Sequence, residues 1–249
     1  MSASNLEMLN IIVKREFGSY FATPIAYVFI LIFLMLSGVF TFYIGNFYER
    51  GQADLTPFFS FHPWLYLFLV PAVSMRLWSE ERKSGSIELL MTLPITRRDV
   101  VVGKFLAAWF FTGIALVLTF PLWITVNYLG DPDNGVVAAS YIGSWLMAGG
   151  FLAIGSCTSA MSKSQVIAFI LCGLVCLLFI LAGFPMVLGA FKGWLPTIFV
   201  DTLASLSFLT HFSAISKGVL SLKDVCYFLS MIIVWLLATM VVVDLKQGE

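Results

Sequence analysis

Charge is what this sequence has least of: 11% of its 249 residues are Asp, Glu, Lys or Arg, while 60% are hydrophobic. At a mean hydropathy of +0.96 there is too little polar surface to cover a water-soluble globule of this size, so a soluble domain is excluded. Acidic and basic residues balance at 14 each, which leaves no net field to draw in nucleic acid or an acidic partner. Histidine is limited to His62 and His211, which read as interfacial tips on the outer side. Cysteine is limited to Cys157, Cys172, Cys176 and Cys226, all in or beside apolar stretches where a thiol behaves as a small hydrophobe. Cys172 and Cys176 share a helix face, but no His or carboxylate accompanies them and no metal site is assigned. A Gly-x-x-x-x-Gly-Lys-Ser/Thr loop is missing, which removes that route to ATP hydrolysis. Residues 1–18 lack an apolar core and a small-residue cleavage site, so no cleavable signal peptide is expected and the N-terminus is placed in the cytoplasm.

What the chain has instead is long apolar runs. A bilayer core of about 30 Å takes about 20 apolar residues in a helix, whose backbone must satisfy its own hydrogen bonds. Six stretches meet that need, at about 24–45, 61–78, 105–128, 140–161, 165–188 and 225–243, and none has an ionised residue in its interior. The predicted fold is all-α: a polytopic membrane protein of six transmembrane helices in one domain over 1–249. Thr23 and Pro24 open the first span in the order of a cap followed by a first-turn proline. Residues 194–217 are moderately apolar but hold Pro196, Asp201 and His211. As a seventh span they would bury Asp201 and reverse the side of the C-terminus, so they are read as a re-entrant helical pair before the last span. Lys14, Arg15, Arg76, Arg82, Lys83, Arg97, Arg98, Lys104, Lys163 and Lys246 then face the cytoplasm, against Arg50, Lys192, Lys217 and Lys223 outside. That asymmetry agrees with both termini in the cytoplasm.

Two polar segments flank the early spans. Over 5–20, Leu6, Leu9, Ile12 or Val13, and Phe17 recur at helical spacing, predicting an amphipathic helix in the inner interface with Lys14, Arg15 and Phe17 as its anchors. Over 79–94, Arg82 and Lys83 suit the end of a helix continuing the second span, and Gly85 suits a left-handed stop. Ser86 can cap a new short helix over 87–91 that Pro94 ends, and Thr96 with Asp99 forms a capping box opening the third span. The short helix offers Ile87, Leu89, Leu90 and Met91 beside Glu88 to the cytoplasm. The plainer reading is a helix resting on lipid headgroups.

The run from Met75 through Ser79-Glu80-Glu81-Arg82-Lys83-Ser84-Gly85-Ser86-Ile87-Glu88-Leu89-Leu90 to Lys104 resembles the signature loop of type-2 ABC exporter permeases, and within them the branch that includes the gliding-motility and copper-site-maturation permeases. The likeness extends along essentially the whole chain. It implies that Glu80, Glu81, Arg82, Lys83, Gly85, Ser86, Ile87, Glu88, Leu89 and Leu90 form a coupling helix that docks on a cytoplasmic ABC ATPase. By the same resemblance, two ATPase copies holding ATP and Mg would serve two permease chains, identical or homologous, in a bacterial inner membrane. This chain would itself carry no cofactor, metal or catalytic residue and would work in export. Cargo, and any auxiliary periplasmic or membrane protein, stay open. The lack of ionisable groups inside the spans speaks against an ion-coupled carrier and for an external energy source. An ion channel, with Asp201 as its only intramembrane charge, and a structural membrane scaffold remain as alternatives.

Overall fold

The computed structural model describes residues 3–87, 96–191 and 196–246, and every regular element among them is helical. Helix α1 (Ala3–Phe21) leads through Thr23, whose extended backbone caps α2 (Pro24–Val39) with proline in the first turn, where its missing N–H has no intrahelical partner to lose. The same helix runs on into a π-helical turn, Phe40–Ile44. A short α3 (Thr56–Ser60) precedes α4 (His62–Ser74) and α5 (Arg76–Ser84), which meet at Met75. Next come α6 (Arg97–Val117), continued by α7 (Phe120–Leu129), then α8 (Asn134–Met161), α9 (Gln165–Leu181) and the short α10 (Pro185–Phe191). A bent pair, α11 (Thr197–Ser205) and α12 (Phe208–Ile215), leads to α13 (Leu222–Leu245).

This is an all-α polytopic membrane protein. Among the described residues, α2 with its π-helical end, α6 with α7, α8, and α13 are each long and apolar enough to cross a bilayer. Helices α11 and α12 reach that measure only together and bend by 64°. The stretch from 61 to 78, read from sequence as one span, is interrupted at Met75, and Pro71 inside α4 withholds one N–H from its ladder.

The centre of the bundle is α8, buried almost continuously from Leu146 to Ala160. Water gives no hydrophobic push between helices inside lipid, so close backbone approach takes over, and small residues permit it. A Cβ on Gly150 would come within 2.7 Å of the Phe208 ring, and one on Gly155 would overlap Ser74 of α4. Both His residues depart from the interfacial-tip reading: each is buried. His62 Nδ1 lies 2.9 Å from the Phe58 carbonyl. His211 lies between the Asp224 carboxylate (2.6 Å) and the Ser205 carbonyl (2.9 Å), tying α11 and α12 to the start of α13. A hydrogen-bonded imidazole can be buried where a bare one cannot, and periodicity alone does not reveal such partners. Asp201 is exposed on α11.

Candidate functional site

One end of the bundle gathers α1, α5, the start of α6 and the ends of α8 and α13. Arg97 Nη1 donates to Asp244 Oδ1 at 2.7 Å, which places the end of α13 beside the start of α6. That start is capped as expected, with the Asp99 N–H donating to Thr96 Oγ1 at 3.3 Å.

Helix α5 is fixed along its inner face. Trp78 is fully buried, and its indole Nε1–H donates to Ser156 Oγ at 3.1 Å. The Trp78 and Ser79 amides both donate to Ser159 Oγ, at 3.0 and 3.1 Å, and that hydroxyl donates to the Met75 carbonyl at 2.8 Å. A serine of α8 thus supplies the partners that the interrupted α4–α5 ladder lacks. Four residues on, Arg82 Nη1 donates to the Ala160 carbonyl at 2.7 Å. A guanidinium there satisfies one of the last orphan carbonyls of α8 and suits the negative end of its dipole.

The other anchor is a buried ion network. Lys104 of α6 has a side chain only 4% exposed; its Nζ lies 2.6 Å from Glu81 Oε1 of α5 and 3.2 Å from Glu16 Oε2 of α1. Arg15 adds a second cation to Glu16 at 2.6 Å, and the Lys104 ammonium sits 5.5 Å over the Trp78 ring. One lysine therefore ties three helices together at the point where α5 leaves the bundle. Beside it a cavity of about 270 Å³ opens between α1 and α5, lined in part by Glu16, Tyr20, Arg76 and Glu80.

The two carboxyls around Lys104 are pulled in opposite directions. Burial pushes Glu16 up, but Lys104 and Arg15 outweigh it and hold the group below the ordinary 4.5. At Glu81 burial prevails over Lys104, with help from the neighbouring Glu16 charge, and the group is raised above 4.5. The signs for stability follow. The folded chain holds the extra proton on Glu81 just above pH 4.5, so stability falls as pH rises there. The unfolded chain holds more protons at Glu16 just below pH 4.5, so stability rises with pH there. We expect the Glu81 contribution to be lost as pH rises above 4.5 and, in Glu81→Gln, that fall to disappear. Thermal melts of the detergent-purified chain between pH 3 and 7 would detect this, and an unchanged profile in the variant would refute the assignment.

The sequence-predicted residues divide by direction. Glu80, Lys83, Gly85 and Ser86 are exposed, whereas Arg82 and Ile87 are buried and Glu81 is half-buried. Gly85 ends α5 with φ 72°, in the left-handed region that only glycine enters without strain. Glu88, Leu89, Leu90 and Pro94 lie outside the described residues. On α1, Lys14 is exposed, Arg15 is engaged by Glu16, and Phe17 packs 5.2 Å from Phe21. Instead of lying on lipid alone, α1 packs along α6, with Ile12 against Gly103 and Tyr20 stacked on Phe111 at 4.9 Å.

The chain matches the family model described as ABC-2 family transporter protein over residues 11–245. It belongs to that family. It is thus a membrane permease of the ABC-2 transporter family. Over 70 residues the permease is 39% identical to heme exporter protein B of Rhodobacter capsulatus, a match covering 28% of this chain and 32% of that protein. Sequence reasoning missed Glu16, Trp78, Ser156, Ser159 and Lys104 of the permease as a working set. Lys104 was legible only as one more cytoplasmic cation before a span.

Proposed function

We propose that this chain forms the translocation path of an ABC exporter and is driven by a cytoplasmic ATPase that docks on residues 80–90. The observation that supports this best is the two-sidedness of α5. Its inner face is bound to the bundle through Trp78, Glu81 and Arg82, while Glu80, Lys83, Gly85 and Ser86 are exposed on the outer face, with Glu80 paired to Arg76 of the same helix and Ser86 to Ser84. A force applied at the outer face would pass to α8 through Arg82 and Ser159 and to α1 and α6 through Lys104. In this reading two copies of the chain, or this chain and a homologue, pair with two ATPase subunits. In the same reading the chain has six spans and lies in a bacterial inner membrane with both termini in the cytoplasm, and ATP and Mg belong to the ATPase.

The test is purification of the tagged full-length chain from native membranes in mild detergent, with mass-spectrometric stoichiometry of what accompanies it. An ATPase in equal amount is the expected result. The double change Glu80→Lys with Lys83→Glu should lower its recovery about ten-fold or more, since misplaced charge at an interface costs several kcal/mol, and should leave helicity intact. A chain that comes alone, with or without ATP, would overturn the proposal.

A further inference from the structure

Along one side of α1, α6 and α8 lies a groove of about 650 Å³, within the range of about 300–1,000 Å³ that holds small ligands. Its walls are Val13 and Phe17 of α1, Phe110 and Ile114 of α6, and Ile142 and Trp145 of α8. The floor is set in advance. Trp109 Nε1–H donates to the Trp145 carbonyl at 2.8 Å, Trp145 Nε1–H returns a bond to the Trp109 carbonyl at 3.2 Å, and the rings stack at 4.3 Å. Gly113 leaves room for this, as a Cβ there would come within 2.9 Å of the Trp145 nitrogen.

Both indole N–H groups are therefore spent, and Tyr141 in the wall is already bonded to Thr119 at 3.0 Å. Along about 10 Å of α6, from Phe110 to Val117, the groove offers a ligand nothing polar. Its polar end is Asn10 and Lys14 on α1, and Lys14 is exposed and forms no salt bridge among the described residues. Among the described residues no carboxylate lines the groove. A long apolar slot ending in one uncompensated cation has the charge and shape complement of a single amphiphile. We infer that this groove is a binding site for an anionic phospholipid, whose acyl chain lies against Trp145 while its phosphate meets Lys14 and Asn10. The inference is independent of ATPase docking, since none of these residues belongs to the α5 surface.

The experiment reconstitutes the full-length chain in phosphatidylcholine vesicles carrying a small, equal fraction of brominated phosphatidylglycerol or brominated phosphatidylcholine. Bromine quenches tryptophan on contact, and the component lost in Trp145→Phe isolates the groove. Quenching of that component should favour brominated phosphatidylglycerol about five-fold, the weight of one lysine near an anionic headgroup. The preference should disappear in Lys14→Gln and persist in Lys14→Arg; Lys14 is exposed, so neither change threatens the fold. Equal quenching by the two lipids, or a preference that survives Lys14→Gln, would overturn the inference. So would the absence of quenching by either lipid. Disulfide cross-linking between Val117→Cys chains would then assign the groove to a second copy.

Discussion

Replacing Lys104 with methionine should lower the stability of the purified chain by about 3 kcal/mol, because removing one partner of a buried pair strands the charge left behind. Here, among the described residues, Glu81 loses its only salt-bridged cation, while Glu16 is left with Arg15 alone. Glu16 and Glu81 keep side-chain exposures of 14% and 21%, so solvent reaches them in part and the low end of the usual range applies. Adding Glu16→Gln and Glu81→Gln to Lys104→Met should restore more than half of the loss, as neutral amides tolerate one another where the two charges do not. Thermal or denaturant unfolding of the unmodified chain, Lys104→Met and the triple variant in one detergent measures this directly. A Lys104→Met chain that unfolds like the unmodified one would mean that the ammonium is not the tie between α1, α5 and α6. If ATPase docking is as proposed, Lys104→Met should also keep ATPase association while uncoupling ATP turnover from transport, because the outer face of α5 is unchanged.

The second large effect belongs to Trp78. Truncation to alanine empties a fully buried site between α5 and α8 and should cost about 3–5 kcal/mol, the range for large aromatic deletions in a packed core. Trp78→Phe keeps most of the volume, gives up the indole hydrogen bond to Ser156 and should cost about 1 kcal/mol. The contrast between the two separates packing from hydrogen bonding. Should phenylalanine prove as damaging as alanine, the bond to Ser156 rather than the filled volume would be what holds α5 in place.

The parts of this fold that were readable without coordinates are those governed by local chemistry. Thr23 with Pro24, Thr96 with Asp99, and Gly85 at the end of α5 are decided within a turn of helix, and each stands in the conformation its neighbours dictate. The polytopic all-α character follows from apolar length and from the need to satisfy the backbone in lipid. What the residues could not disclose were pairings between distant segments. Glu16, Glu81 and Lys104 occupy three helices, and each alone passes for an ordinary interfacial charge. Ser156 and Ser159 look like small, neutral members of an apolar run until Trp78 and the broken turn at Met75 are set against them. The burial of His211 depended likewise on Asp224 and a carbonyl at Ser205. The face of α1 was correctly periodic, yet periodicity cannot distinguish a lipid surface from the flank of α6, both being apolar.

The hydroxyl of Ser159 in the gap between α4 and α5 has a mechanical meaning. A gap in a helix is ordinarily a free joint, since the amides released there can turn to water. In this position the released amides of Trp78 and Ser79 have a single serine to turn to, and it is carried by a different helix. Any swing of α5 that left α8 behind would strand those amides in an apolar surrounding, at several kcal/mol for each group. The joint is therefore pinned, and α5 turns as a crank whose axle is α8.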